Sequence, residues 1–162
     1  MTHTLLLVDD DENVVRGLAR ALRGQPYRIY TAKSAEEAMW VLKRQSIDVI
    51  VTDEWMPGLL GTDLLAWVAE HYPDVMGIVL TGRPSVETAI RAINEGAIYQ
   101  FFVKPCKEVD LAIAIRKALE RGDELRRTRQ LLDLSPQPKD GVQGPATPDP
   151  LAPGKPVTSP DT

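Results

Sequence analysis

"LLLVDDDENV" (residues 5–14) runs four apolar residues, Leu5 to Val8, directly into Asp9, Asp10 and Asp11. So short an apolar run reads as a buried strand, and the carboxylates mark where it reaches the surface. Carboxylates packed side by side repel one another and raise one another's pKa unless something positive sits among them. A cation would answer that repulsion. The plainer alternative is a polar turn whose last aspartate caps the next helix.

The same alternation of a short apolar run and a helix-period segment recurs along the chain. "ENVVRGLARALRG" (12–24) puts Val14 or Val15, Leu18 and Leu22 on one helical face, with Gly24 at its end. "YRIYTA" (27–32) is a second strand, and "SAEEAMWVLKRQ" (34–45) a helix with Ser34 and Glu37 in capping-box spacing. "IDVIVTD" (47–53) and "VMGIVLTG" (75–82) are strands, separated by the helix "GTDLLAWVAEHY" (61–72). "PSVETAIRAINEG" (84–96) reads as a helix with proline in its first turn and glycine after its end. "IYQFFVK" (98–104) is the fifth strand, and a last helix starts near Lys107.

Five such units with branched, apolar strands predict an α/β fold, a parallel sheet covered by helices on both faces. Ligands of such sheets bind beyond the carboxyl ends of the strands, at the topological switch point. The residues there are Asp9 and Asp10 after the first strand, Asp53 after the third, Thr81 after the fourth and Lys104 after the fifth. The second strand ends without a charged group, as suits a peripheral position.

Composition narrows the function classes. A net charge of −4 gives no general attraction to nucleic acid or to a membrane surface. The single cysteine, Cys106, forms no internal disulfide, fits a reducing cytosol, and reads as a small buried filler. No apolar run approaches the ~20 residues that cross a bilayer, and no signal peptide opens the chain. A cytoplasmic protein is expected. From Ser135 to Thr162 the chain carries eight of its 13 prolines, one leucine and no aromatic residue, and is expected to be a disordered tail.

Three carboxylates, a hydroxyl and an amine at one sheet edge suit a hard, oxygen-seeking Mg²⁺. A carboxylate beside such an ion and a lysine can attack phosphorus and form an aspartyl phosphate.

"LLLVDDDEN", "DVIVTDEWMPGLLGTDLL", "IVLTG" and "YQFFVKP" resemble, in order, the motifs of the receiver domain of two-component response regulators, over about residues 4–120. The resemblance implies the flavodoxin-like doubly wound fold, with five parallel strands in the order 2-1-3-4-5. It implies that Asp53 is the phosphoacceptor and Asp10 the direct acidic ligand of Mg²⁺ (or Mn²⁺), with Asp9 beside it. Trp55 would add its backbone carbonyl to the metal. Thr81 matches the hydroxyl that moves to the phosphoryl group, Lys104 the lysine that pairs with it, and Phe101 the aromatic switch. Asp11 is left to cap the helix, and Lys104–Pro105 is expected to be cis. The implied partners are a sensor histidine kinase or phosphotransfer protein upstream and an unknown protein downstream. The implied domain is a signalling module that catalyses only its own phosphorylation and dephosphorylation. "INEGAIYQFFVKP" also resembles the receiver variant often joined to cyclic-di-GMP phosphodiesterase or regulator modules.

Trp55 and Arg83, each two residues beyond a matched position, depart from the commonest receivers. An indole and a guanidinium at the pocket mouth would shield an acyl phosphate from water and slow its loss. His3 and His71 look isolated. Residues 111, 115, 118, 122, 125, 129 and 132 follow 4–3 spacing, which resembles a short coiled-coil seam for a homodimer. The expected organisation is a receiver over 1–120, a helical extension over 121–134 and the tail. Two alternatives to a free-standing receiver are a fragment whose effector lies beyond the proline-rich segment, and an Mg²⁺-dependent phosphohydrolase with an aspartyl nucleophile. The latter family usually has a second aspartate where Trp55 stands.

Overall fold

The computed structural model describes residues 2–95 and 98–134. Five strands, β1 (His3–Val8), β2 (Tyr27–Ala32), β3 (Val49–Thr52), β4 (Met76–Thr81) and β5 (Gln100–Val103), alternate with five helices. The helices are α1 (Glu12–Ala21), α2 (Ala35–Arg44), α3 (Gly61–His71), α4 (Val86–Glu95) and α5 (Glu108–Leu134). All strand pairs are parallel, in the order β2-β1-β3-β4-β5, as expected.

Side-chain alternation along the central strands feeds two cores. Leu6, Val8, Ile50 and Val79 face α2 and α3, meeting Ala38, Val41, Leu64 and Val68. Leu5, Leu7, Val49, Val51, Ile78 and Leu80 face the other side, meeting Val15 of α1 and Leu111, Ile115 and Ala118 of α5. Apolar burial on both faces is why these strands read as continuous apolar runs.

Helix ends follow the local chemistry with two adjustments. Ser34 Oγ accepts from Glu37 N–H at 3.1 Å, but Glu37 reaches back to the amide of Lys33 (3.2 Å), one residue beyond the usual box partner. In α4, Pro84 stands outside the helix, because Ser85 caps it by accepting from Thr88 N–H at 3.0 Å. Gly96, expected to follow α4, and the expected tail (135–162) lie outside the described residues.

The 4–3 stripe on α5 proves to be spent within the chain. Leu111, Ile115, Ala118 and Gly122 are buried and Leu125 half-buried, while Arg129 and Leu132 are exposed. A Cβ at Gly122 would lie 3.4 Å from the carbonyl oxygen of Asp74 and 3.5 Å from Met76 Cγ, so the missing side chain lets the helix approach closely. One turn on, Arg126 pairs with Asp48, whose other oxygen accepts from Thr4 N–H at 2.8 Å. His3 is not isolated: its Nε2 lies 3.0 Å from Asp123. As far as Gly122, then, the stripe packs on its own sheet and is no free seam, because the sheet needs an apolar cover on that face. Residues to Thr128 form one unit; from Arg129 onward a second begins, of which Arg129–Leu134 are described.

Candidate phosphoryl-transfer site

The three aspartates sit in three different settings. Asp9, 4% exposed, closes β1; its Oδ1 accepts from Asp11 N–H (2.9 Å) and its Oδ2 from Lys104 Nζ (2.7 Å). Asp10 is exposed. Asp11 caps α1 as expected, accepting from Asn13 N–H at 2.9 Å.

β3 pairs with β1 and delivers Asp53 beside them. The Asp53 amide donates to Val8 O at 2.9 Å, its Oδ1 accepts from Glu54 N–H at 2.7 Å, and its Oδ2 lies 3.7 Å from Lys104 Nζ. One oxygen from each of Asp9, Asp10 and Asp53 lies within 4.8 Å of the others. Lys104 follows β5, donates its amide to Thr81 O at 2.8 Å, and precedes the cis bond to Pro105. Thr81 is fully buried, and its Oγ1 accepts from Arg83 N–H at 3.2 Å. The indole Nε1 of Trp55 donates to Arg83 O at 2.8 Å, joining the loops after β3 and β4. An open cleft of about 510 Å³ is lined by Asp9, Asp10, Asp53, Trp55, Thr81 and Lys104, among others.

Oxygen donors at this spacing, with nitrogen and sulfur ligands absent from the cluster, fit a hard divalent cation. Lys104 offsets part of the cluster's charge, lying 2.7 Å from Asp9 and 3.7 Å from Asp53.

Other candidates fall elsewhere. Phe101 is half-buried and packs against the core on the α2–α3 side. His71 stacks on Trp67 with ring centroids 4.5 Å apart, away from the cleft. Cys106 is half-buried rather than fully buried; burial, then the charge of Asp110, pushes its thiol pKa up, which disfavours a reactive thiolate. Sequence reasoning missed Glu54, fully buried behind Asp53, because nothing in its neighbours' periodicity marks it.

Known proteins resemble this chain in sequence and in fold. The chain is 36% identical over 137 residues to the hydrogenase transcriptional regulatory protein HoxA of Cupriavidus necator, a match covering 82% of this chain and 28% of that protein. It is 31% identical to the nitrogen assimilation regulatory protein NtrX of Azorhizobium caulinodans, over 83% of this chain and 30% of that one. This chain therefore spans less than a third of either relative. Among solved structures, the signal receiver domain of an HD domain-containing protein from Pseudomonas fluorescens matches with TM-score 0.75 and 33% identity, covering 76% of this chain and 99% of that one. The beryllofluoride-activated NtrC4 receiver domain dimer matches with TM-score 0.68 and 36% identity, covering 74% and 98%. Among the described residues no helix is long and apolar enough to cross a membrane. The family described as "Response regulator receiver domain" matches residues 5–116, and the chain belongs to that family.

Proposed function

We propose that this receiver takes a phosphoryl group onto Asp53 from a histidine kinase or phosphotransfer protein, and that the acyl phosphate switches a surface for a downstream protein or a second copy of the chain. The observation that carries this is the meeting of Asp9, Asp10 and Asp53 with Lys104 in one open cleft. Asp10 and Asp53, with the backbone carbonyl of Trp55 and with Asp9 beside them, would hold Mg²⁺. Bound there, the ion offsets charge on the carboxylates and on the incoming phosphoryl oxygens.

The chain's own groups do the rest. An oxygen of Asp53 forms the bond to phosphorus as the bond to the donor's imidazole nitrogen breaks, the electron pair leaving with that nitrogen. The Lys104 ammonium, delivered from the end of β5 rather than from β1 or β3, neutralises charge on the transferring group. Thr81 gives up the amide of Arg83 and turns its hydroxyl to the phosphoryl group, and Phe101 follows. The domain acts on no substrate beyond its own phosphate. The phosphohydrolase alternative loses its second acid, since Trp55 stands where that aspartate would be.

Phosphorylation by acetyl phosphate or phosphoramidate, followed by intact mass, tests the assignment. Wild type gains one phosphoryl group and Asp53→Ala gains none; equal labelling of Asp53→Ala at the same site and rate overturns it.

A further inference from the structure

Glu54 is fully buried, yet it lies in the loop that carries Asp53 towards the cleft. Its Oε1 accepts two hydrogen bonds from the first turn of α3, from Thr62 N–H at 2.8 Å and from Thr62 Oγ1 at 2.9 Å. Its backbone carbonyl accepts a third from Gly61 N–H at 3.0 Å. The residue preceding α3, Leu60, has no side-chain acceptor to offer, so Glu54 caps the helix from eight residues upstream. Its charge stands at the positive end of the α3 dipole. Among the described residues no donor reaches Glu54 Oε2.

The helix end comes unusually close. A Cβ at Gly61 would lie 2.0 Å from the Asp53 carbonyl oxygen, so only glycine lets α3 press against the Asp53–Glu54 peptide. The amide on that peptide is the one that holds Asp53 Oδ1 at 2.7 Å. Glu54 is thus bonded through its side chain, its carbonyl and its amide, and the amide ends on the carboxylate of Asp53. A buried carboxylate with one oxygen unanswered is a costly way to close a loop, and an apolar side chain would fill the space without that cost.

We propose that Glu54 is a positioning residue for phosphoryl transfer. With Thr62 it locks the Asp53–Glu54 peptide to the start of α3, so that the Glu54 amide orients the Asp53 carboxylate before the donor arrives. This rests on Asp53 being the phosphoacceptor. Orientation fixed in advance lowers the barrier to transfer, and small misplacements of a reacting group are expensive.

The test is phosphoramidate-driven phosphorylation of the full chain at a temperature where each variant is folded, read as maximal rate and as half-saturating donor concentration. Glu54→Leu is expected to lower the maximal rate on the order of tenfold, within the ~10²-fold that a 1 Å misplacement can cost. The half-saturating concentration should stay within about twofold, since the donor does not touch Glu54. Glu54→Gln keeps an acceptor for Thr62 and should recover most of the rate. Val68→Ala, a core truncation that lowers the melting temperature without touching the loop, should keep the wild-type rate. Thr62→Val removes one of the two bonds to Oε1 and serves where Glu54→Leu does not fold; its rate should fall in the same direction by less. Calorimetric Mg²⁺ titration adds a readout independent of turnover, and Glu54→Leu should bind the ion more weakly than Val68→Ala. Wild-type rates in Thr62→Val and Glu54→Leu, or an equal loss in Val68→Ala, would overturn the proposal. Absence of phosphate on Asp53 of the wild type would instead overturn the reading on which it rests.

Discussion

The two sides of the cleft are built to different standards. On one side Leu5–Val8 and Val49–Thr52 are buried throughout, and two of the carboxylates that follow them, Asp9 and Asp53, are tied down, while Asp10 is exposed. Asp9 is held at both oxygens, and Asp53 is held at its amide and at Oδ1. On the other side β5 has no fully buried residue: Gln100 and Val103 are exposed, and Phe101 and Phe102 are half-buried. Among the described α4 side chains Thr88 is the buried one, while Val86 and Ile90 are 77% and 52% exposed. A region with few buried contacts opens at lower free energy than the core. The buried strands thus fix Asp9 and Asp53, whereas the β5–α4 margin, which flanks the buried Thr81 at the end of β4, has less packing to hold it. Lys104 and Trp55 are two of the residues that join the sides.

Removing Lys104 should break the comparison most severely. Lys104→Met leaves Asp9 buried without its cation and withdraws the amine from the transferring group. Phosphorylation should slow by about 10²–10³-fold, the usual cost of losing such a charge-stabilising donor. A rate within threefold of wild type, measured by phosphoramidate labelling, would show that the sides work independently.

Opening the strap is a smaller perturbation. Trp55→Ala combined with Arg83→Ala removes the indole bond to Arg83 O and the bulk over the pocket mouth. Self-dephosphorylation in Mg²⁺ should quicken about fivefold, what one hydrogen bond of about 1 kcal/mol is worth. An unchanged or longer half-life of the phosphorylated protein would mean that the two residues shield nothing.

The weakest effect belongs to the exposed pair Lys33–Glu12, outside both sides. The hydrogen bond from Lys33, then its charge, holds the Glu12 carboxyl below its ordinary 4.5. A carboxyl lowered by folding stabilises above its unfolded pKa, and the contribution is lost as pH falls through the folded value. Lys33→Ala should raise the Glu12 midpoint towards 4.5 in an NMR titration. The melting temperature near neutral pH should hardly move, because solvent screens so exposed a pair. A large drop in melting temperature would show that this margin supports the acidic side after all.

The sheet was legible in the sequence because parallel strands buried on both faces leave runs such as "LLLV" and "VIV", and capped helices between them leave periodic stripes. Asp9, Asp10, Asp53, Thr81 and Lys104 were legible because each closes a strand, and strand ends of such a sheet share one edge. Helix starts were less so: one cap acceptor decides them, Ser85 leaves Pro84 outside α4, and Glu37 bonds the amide one residue beyond the pattern. The α5 stripe shows the limit of periodicity, which reveals that a face is apolar and not what covers it. Only the tertiary structure decided that this face belongs to its own sheet, that His3 meets Asp123, and that Glu54 caps α3 from eight residues away. Those contacts depend on which backbone segments come close in space, as at Gly61, where α3 meets the carbonyl of Asp53, and no spacing along the chain encodes that distance.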